Sequence, residues 1–489
     1  MDRTVDTNYD VVVVGGGIVG IGIFRDLCLH QVKTLLIDKK DFCSQTSGAS
    51  SKMLHGGIRY LEQGDLALVQ EALEEKAFWL QNTPHLCYQT AFHLPLYHHS
   101  KYSPIMLRTG LMLYDFLSHY KQPRHQFLSA AETLKVFPHL RPQGLKGCGV
   151  YHDAVMDDVK LGLECLYDAL KRAPTNQALN YLELANFHYE DQHSILTLFD
   201  SLTKQTRKVR AKEVVFATGP FSDSLLEGFP ELHWQRRLLP SLGSHLWIDS
   251  QALPLPGPMV LQTKDNRIIF AIPQKNGVLL GTTEVPIPKG SDLEKDSYFS
   301  LQPSAVEEEY LLNSIRETFP TLNIQKKDIL GQFAGIRPLV LEEGKSPQQL
   351  SKTSRTHHVY SPYHNVNVIV GGKYTTFRRM AQDITRPLIQ RLGKVYQTRK
   401  SEAALLQKSV FPPFTKDPLQ LTWEKIHQSL MTERPATWED LVLRRIGRLP
   451  LLKTPQNPLQ FFLQHLDKIQ QYFPLTSEQV YEFFQGKHN

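Results

Sequence analysis

The sequence has few cysteines, and they form no recognisable pattern. The five cysteines are odd in number, widely spaced and without a C-x-x-C pair, so neither a disulfide framework nor a metal site is expected. Basic residues form no block either: a net charge of +6 is spread along the chain, which argues against nucleic-acid binding. Such a charge fits attraction to anionic substrates or lipid headgroups, and an ordinary solvated surface is the alternative.

Long apolar runs are also missing. No apolar stretch reaches the roughly 18 residues of a membrane-spanning helix, and acidic residues at the N-terminus stand where a signal peptide has a basic region. We therefore expect a cytoplasmic protein, with peripheral attachment to the inner face of the cell membrane as a further option. Segment 104–124 mixes apolar residues with Arg108, Lys121 and Arg124, which predicts an amphipathic helix on a membrane surface; a core helix with charged edges is the alternative.

What the sequence does contain is an alternation of strands and helices typical of α/β proteins. Residues 10–22 read as a β-branched strand, a glycine-rich turn and a helix, and Thr34–Ile37 form a second strand that ends at Asp38. Residues 209–219 and 366–372 repeat the strand-and-glycine pattern far along the chain. Since such strands suit one parallel sheet, the first domain is predicted to be discontinuous.

Residues 258–285 have a different texture. Three runs rich in Val, Ile, Leu, Phe and Thr are separated by Lys-Asp-Asn and Lys-Asn-Gly, which are hairpin turn signals and predict an antiparallel sheet in a separate lobe. Beyond residue 395 the chain reads as helices with proline breaks, for example over 437–448 and 458–473. The predicted fold class is therefore α/β: a Rossmann-like domain at 1–90, 150–225 and 330–394, an antiparallel-sheet substrate lobe at 91–149 and 226–329, and a C-terminal helical domain at 395–489.

A glycine motif in the first turn indicates dinucleotide binding. Gly15, Gly17 and Gly20 form G-x-G-x-x-G between a strand and a helix, where glycines permit a tight turn and the close approach of a pyrophosphate to the helix N-terminus. Asp38 closes the next strand about 20 residues downstream, where an acid can accept a hydrogen bond from a ribose hydroxyl. The motif alone also fits a ligand-free βα turn, but strand, helix and acid occur together here.

The loop after the acid-bearing strand is rich in small residues. Residues 47–61 read Ser-Gly-Ala-Ser-Ser-Lys-Met-Leu-His-Gly-Gly-Ile-Arg-Tyr-Leu, which suits a backbone wrapped around a phosphate and a flat ring. His55, Arg59 and Tyr60 add titratable and cationic groups beside it. A solvated polar loop is the alternative.

The sequence resembles the FAD-dependent glycerol-3-phosphate dehydrogenases, respiratory flavoenzymes of the glycine oxidase and D-amino-acid oxidase superfamily. The resemblance covers about residues 9–385, and helix-forming residues 438–445 are similar to the family's C-terminal domain. It is carried by seven motifs in the same order: residues 15–20, 49–52, 55–62, 217–220, 281–284, 335–339 and 371–376.

This resemblance implies roles for individual residues. His55, Arg337 and Lys373 would be catalytic, with His55 taking the hydroxyl proton, and Arg59, Tyr60, Arg337 and Thr375 would bind substrate. The residues implied to bind FAD are Gly15, Gly17, Gly20, Asp38, Ser47, Ser50, Ser51, Lys52, Ala217, Gly219, Gly335, Gly372, Lys373 and Thr375.

The implied reaction is oxidation of sn-glycerol 3-phosphate to dihydroxyacetone phosphate by hydride transfer to flavin N5, with electrons passed to a quinone. A homodimer is compatible with this reading. FAD-dependent oxidation of a 2-hydroxy or amino acid is the alternative, and a flavin-binding protein without turnover is a third reading.

Three positions depart from the family's usual pattern. Leu242 replaces a Lys before Gly243-Ser244-His245, which removes one potential contact with phosphate or flavin. Glu284 stands where Asp is common, and Asp38 where Glu is often found, so both of these positions keep their charge.

Overall fold

The structure, a computed structural model, describes residues 3–274, 277–289, 301–341, 356–413, 419–447 and 457–485. It contains two large sheets, whose strands are numbered in chain order. The first sheet consists of β1 Asn8–Val14, β2 Thr34–Ile37, β7 Gln177–Leu179, β8 Leu182–Glu190, β9 His193–Asp200, β10 Gln205–Phe216, β17 His357–Tyr363 and β18 Val366–Gly371. The second consists of β3 Met53–Leu54, β4 Cys87–Tyr97, β5 Gln126–Leu128, β6 Leu145–Met156, β11 Ser241–Ile248, β12 Met259–Gln262, β13 Ile268–Gln274, β14 Gly277–Gly281, β15 Val285–Pro286 and β16 Ile329–Arg337.

Helices cover the sheets and form the C-terminal region. They are α1 Ile18–Leu29, α2 Leu66–Asn82, α3 Pro104–Leu117, α4 Ala130–Val136, α5 Asp158–Arg172, α6 Ser222–Leu226, α7 Ala305–Thr318, α8 Phe377–Arg391, α9 Thr398–Ser401, α10 Trp423–Thr432, α11 Pro458–Gln464, α12 Leu466–Ile469 and α13 Ser477–Phe484, with a π-helix at Asp440–Gly447. Several begin where the sequence supplies a cap, since Asp65, Ser103 and Asp157 each accept a hydrogen bond from the first turn of α2, α3 and α5.

The first sheet has the predicted parallel core. Strand β1 pairs in parallel with β2 and β10, and β10 pairs in parallel with β18, so strands more than 300 residues apart in sequence share one sheet. Val11 and Val13 pack on the helix side against α1, α5 and α8, whereas Val12 and Val14 face the hairpin β8–β9. Residues 11–14 of β1 are all valine because this part of the strand is buried on both faces.

The second sheet contains the predicted antiparallel strands. Strands β12, β13 and β14 form consecutive antiparallel pairs, and β11 joins β14 to β16. The α/β fold class with an antiparallel lobe is thus confirmed. Strand β6 crosses the predicted boundary at 149/150, and β16 pairs in this sheet although its sequence lies in the range assigned to the first domain.

The helical C-terminal region is also present, with shorter elements than predicted. Residues 458–473 form two helices that meet at His465, and residues 440–447 of the predicted 437–448 helix form a π-helix. Arg448 lies outside the described residues. After the glycine turn that follows β18, residues 373–376 form an irregular segment, and helix α8 begins at Phe377.

Candidate active site

A cavity of about 570 Å³ opens at the carboxyl ends of the parallel strands and reaches the second sheet. This is where open α/β sheets bind their ligands. Residues from β11, β13 and β16 close its far side. The predicted site residues that line it are His55, Tyr60, Arg337, Lys373, Thr375, Gly15, Gly17, Asp38, Ser47, Ser50, Ser51, Ala217, Gly219, Gly335 and Gly372.

The turn between β1 and α1 forms a cradle that fits a pyrophosphate. Gly15 has a φ of +107°, and a Cβ there would lie 2.5 Å from the carbonyl oxygen of Ala217. A Cβ on Gly20 would overlap the carbonyl oxygen of Gly15. Gly17 precedes the first turn of α1, so the backbone N–H groups and positive end of the helix dipole meet the cavity without a side chain in the way.

Asp38 lies at the wall of the cavity, beside this turn. Its carboxylate accepts hydrogen bonds from the backbone N–H groups of Gly16, at 2.6 Å, and Lys40, at 2.8 Å. Burial raises the pKa of Asp38 to about 6, although these two N–H donors lower it. An acid held in this place is suited to accept from a ribose hydroxyl when it is ionised.

The hydroxyl-rich loop is anchored by its own side chains. Ser47 Oγ accepts from the N–H of Ile18 at 2.8 Å, at the start of α1. Ser50 Oγ donates to Asp158 at 2.6 Å, and Lys52 forms an ion pair of 2.5 Å with the same carboxylate. Lys52 therefore holds the loop on α5 and is not part of the cavity lining, in contrast to the role implied by the resemblance.

Two further predicted residues are outside the lining. Gly20 does not face the cavity. It packs against the carbonyl of Gly15, and its lack of a side chain lets α1 approach β1 closely. Arg59 lies on the 3₁₀ helix Ile58–Gln63, whose Tyr60 does face the cavity. The direct contacts proposed for Gly20 and Arg59 thus gain no support from the geometry.

Two cationic side chains, those of Lys373 and Arg337, line the cavity. Gly371 and Gly372 have φ angles of +78° and +81°, which produce a sharp reversal before Lys373. Lys373 Nζ lies 3.5 Å from the ring centroid of Tyr60. Arg337 donates to Thr282 Oγ1 at 2.7 Å and to the carbonyl of Thr283 at 3.2 Å, contacts that orient its guanidinium.

His245 is a further residue of the site, one that was not predicted from the sequence. Its ring lines the cavity, stacks on Phe333 with centroids 4.8 Å apart, and shares a 2.9 Å hydrogen bond with Ser51 Oγ. Burial, with the nearby charges of Arg337 and Lys52, lowers the pKa of His245 to about 3, so the ring is neutral at physiological pH. The Gly-Ser-His run was the available signal, but only strand pairing shows which way the ring points.

The same strand explains the departure at Leu242. Leu242 packs in an apolar cluster with Ile287, Ala334 and Ile336, on the face of β11 opposite the cavity lining. Its neighbour Gly243 lines the cavity, where a Cβ would lie 2.5 Å from the guanidinium of Arg337. Leu242 therefore lies in the apolar interior and not in the cavity. The cationic group beside Gly243 is the guanidinium of Arg337.

A buried polar hub supports the loop that carries His55. The backbone N–H of Gly56 donates to Asp153 at 3.2 Å, and this carboxylate also accepts from Lys76 and from the Tyr114 hydroxyl, both at 2.8 Å. The backbone N–H of His55 faces Thr375 Oγ1 at 3.4 Å. These contacts hold the backbone at His55 between Asp153 of β6 and Thr375, which follows β18.

Comparisons with known proteins agree with this geometry. Residues 10–378 match the family described as "DAO: FAD dependent oxidoreductase". The chain belongs to the FAD-dependent oxidoreductase family. An aerobic glycerol-3-phosphate dehydrogenase of Staphylococcus epidermidis is 36% identical over 398 residues, which cover 80% of this oxidoreductase and 69% of the relative.

Solved structures show the same fold. A glycerol-3-phosphate dehydrogenase from Bacillus halodurans, in complex with FAD, is similar to this oxidoreductase with a TM-score of 0.72 at 23% identity, over 99% of this chain and 94% of that one. The L-alpha-glycerophosphate oxidase of Mycoplasma pneumoniae with FAD bound has a TM-score of 0.60 at 20% identity, over 78% and 94% of the two chains. The predictions of the family and of FAD as cofactor are confirmed.

Gly20→Ala tests the cradle. We expect the oxidoreductase to lose on the order of 3 kcal/mol of unfolding free energy, because the added methyl group forces α1 away from β1. FAD content should fall in parallel, measured by absorbance after purification. Gly110→Ala in α3 is the control, since no atom lies within 4 Å of a Cβ there. Equal stability of the two variants would contradict the account.

The raised pKa of Asp38 predicts a pH-dependent affinity for FAD. Ribose hydroxyls favour the ionised carboxylate, so the Kd for FAD should rise as pH falls below about 6, by up to tenfold per pH unit. Titration of apoprotein by flavin fluorescence measures this. Asp38→Asn should bind weakly with little pH dependence, whereas Asp65→Asn, which alters only the cap of α2, should keep the wild-type profile. An unchanged slope in Asp38→Asn would refute the assignment.

Proposed function

We propose that the protein oxidises sn-glycerol 3-phosphate to dihydroxyacetone phosphate, with FAD as the oxidant and a quinone as the final acceptor. The observation that carries this proposal is that Arg337, Lys373 and His55 all line the cavity that also contains the glycine turn. A cationic group for an anionic substrate thus lies in the same cavity as a group that can accept a proton. The 36% identity to an enzyme named aerobic glycerol-3-phosphate dehydrogenase supports the choice of substrate.

Arg337 is suited to hold the substrate phosphate. A guanidinium offers paired, coplanar N–H donors to an oxyanion, and the contacts with Thr282 and Thr283 restrict the plane of this one. Glu284 lies 3.7 Å away and partly balances its charge before substrate binds. Binding energy from the phosphate would position C2 of the substrate, although the phosphate itself does not react.

Two histidines at the site would have different roles. FAD supplies the chemistry of hydride acceptance from C2. His55 would take the proton of the C2 hydroxyl, since histidine is the side chain that most often serves as a general base. His245, with its pKa lowered to about 3, would stay neutral and position the substrate through hydrogen bonding.

Lys373 would balance the negative charge that develops on the reduced cofactor. It follows the Gly371–Gly372 reversal and lines the cavity with Thr375. A preorganised cation in a partly enclosed site stabilises such charge more effectively than water does. Tyr60, beneath the ammonium group, would keep Lys373 in place through cation–π attraction.

Anaerobic reduction of the bound flavin tests the substrate assignment. Glycerol 3-phosphate should bleach the flavin absorbance, whereas glycine and lactate should not. Arg337→Gln should raise the apparent Kd for glycerol 3-phosphate by about tenfold to a hundredfold, as expected for loss of a charge-assisted contact. Arg236→Gln, at a residue that pairs with Glu227 and does not line the cavity, should match wild type. Bleaching by an amino or 2-hydroxy acid instead would favour the alternative function.

Helix α3 is proposed as the contact with the membrane that holds the quinone. Its outer face exposes Ile105 and Phe116, at 78% and 62%, together with Met106 and Met112. Arg108 on this helix stacks on Phe127, 4.4 Å from its ring centroid. Apolar residues beside basic ones are typical of a helix that lies in an anionic membrane surface.

None of the described helices is long and apolar enough to cross a bilayer. The proposed attachment is therefore peripheral and depends on one helix face. A homodimer stays a prediction.

Flotation with anionic liposomes tests the role of α3. Wild-type protein should float at low salt, and flotation should weaken at high salt because basic groups contribute. Phe116→Ser and Arg108→Glu should each reduce the floated fraction several-fold, since one removes an inserted ring and the other reverses a charge. Leu202→Ser, an exposed apolar residue in the hairpin between β9 and β10, is the control. Undiminished flotation of both α3 variants would reject this surface.

A further inference from the structure

A buried cluster of charges joins the C-terminal helices to the cofactor-binding half of the molecule. The carboxylate of Asp41 accepts from Arg445 Nη1 and Nη2, at 2.5 and 3.1 Å, and from Arg444 Nε at 2.5 Å. Asp41 is fully buried, and Arg445 is 2% exposed. Both arginines belong to the π-helix Asp440–Gly447, about 400 residues away in sequence and outside the segment that matches the family.

The cluster continues to a second wall of the cavity. Arg444 Nη2 donates to Asp440 at 2.5 Å, and the Tyr181 hydroxyl donates to the same carboxylate oxygen at 2.8 Å. The Asn180 side chain donates to Asp41 at 2.9 Å. Residues 182–184, directly after this pair, line the cavity. Two carboxylates and two guanidinium groups thus balance each other in the interior.

Asp41 is close in the chain to the residues that would hold the adenosine part of FAD. It lies three residues after Asp38, and Lys39, Lys40 and Cys43 line the cavity. The N–H of Cys43 donates to the carbonyl of Gly16 at 3.0 Å, inside the glycine turn. Any displacement of Asp41 would therefore move the ribose-binding carboxylate and the pyrophosphate cradle together.

The ion pairs of Asp41 with Arg444 and Arg445 compensate for the burial of its carboxylate. Burial by itself would raise the pKa of Asp41, but Arg445 and Arg444 outweigh it and hold that pKa below its usual value. A buried carboxylate without these partners would draw water or move towards solvent. The two guanidinium groups therefore stabilise segment 38–43 in this position, beside its backbone hydrogen bonds to Gly16 and Tyr181.

We propose that Arg444 and Arg445 are positioning residues for FAD, through which the C-terminal helical region sets the affinity of a cavity that it does not line. Of the described residues, none beyond Met380 contributes to the lining. The inference extends the cofactor part of the proposed function and does not depend on the identity of the substrate.

The test compares FAD affinity across matched variants of the full chain. Arg444→Lys and Arg445→Lys keep the charge but lose the paired donors, so the Kd for FAD, measured by fluorescence titration of apoprotein, should rise at least tenfold. Arg25→Lys is the matched control: Arg25 also pairs with a buried carboxylate, Asp168 at 2.8 Å, and donates to the C-terminal carbonyl of Ala403, but it lies in the second half of α1, away from segment 38–43. Its Kd should stay within twofold of wild type.

A second readout separates positioning from general loss of stability. In the apoprotein, the backbone amides of Lys40 and Cys43 should exchange hydrogen faster in Arg445→Lys than in Arg25→Lys, even where the two variants have equal melting temperatures. With saturating FAD, the KM for glycerol 3-phosphate should be unchanged. If the arginine variants do not fold, Tyr181→Phe removes a single hydroxyl from the cluster and should raise the Kd for FAD several-fold.

The outcomes are distinct. An unchanged Kd in Arg444→Lys, Arg445→Lys and Tyr181→Phe, or an equal rise in the Arg25→Lys control, would overturn the inference. Failure of glycerol 3-phosphate to bleach the flavin would overturn the proposed substrate alone, because the comparison of FAD affinities uses no substrate.

Discussion

The site depends on the close approach of the first glycine turn to the end of strand β10. Gly15 can lie against the carbonyl of Ala217 only because it has no side chain and adopts a positive φ. The absence of a side chain on Gly20 lets α1 pack against the same turn. This approach leaves the N-terminus of α1 open to the cavity, where its backbone N–H groups and dipole can meet an anion.

Distant parts of the chain complete the site around that turn. Strand β10 places Ala217 beside β1, and β18 places the Gly371–Gly372 reversal on the other side of β10. Strand β16 places Arg337 at the far wall. Among the described residues, no single segment supplies both the glycine turn at α1 and the guanidinium of Arg337. In the proposed function, the phosphate-binding cation, the proton acceptor and the cofactor-binding turn therefore lie on different elements of one cavity.

Local patterns in the sequence were sufficient to predict the elements and most of the cavity wall. Residues 10–38 contain a strand, G-x-G-x-x-G and an acid, a local pattern that is sufficient to predict the βαβ unit. The hairpin signals of residues 258–285 likewise predict the antiparallel strands. Side-chain direction and tertiary partners were not readable in this way. His245 points into the cavity because of the register of β11, and Lys52 is drawn to Asp158, a partner about 100 residues away.

Contacts with the C-terminal region could not be predicted from the sequence either, because they join residues about 400 positions apart. Arg444 and Arg445 read as charges on an ordinary helix until the fold brings Asp41 to them. Their burial against Asp41, rather than any motif, underlies the proposed role in positioning FAD. Similarly, the sequence left open whether α3 is a surface helix or a core helix. The fold shows that one face is buried and the other exposed.

A crystal structure of the protein with FAD and glycerol 3-phosphate would test the central claim most directly. The account predicts the pyrophosphate at the N-terminus of α1, the ribose on Asp38, and the substrate phosphate within hydrogen-bonding distance of Arg337. A pyrophosphate bound elsewhere, or a substrate phosphate that does not contact Arg337, would contradict it.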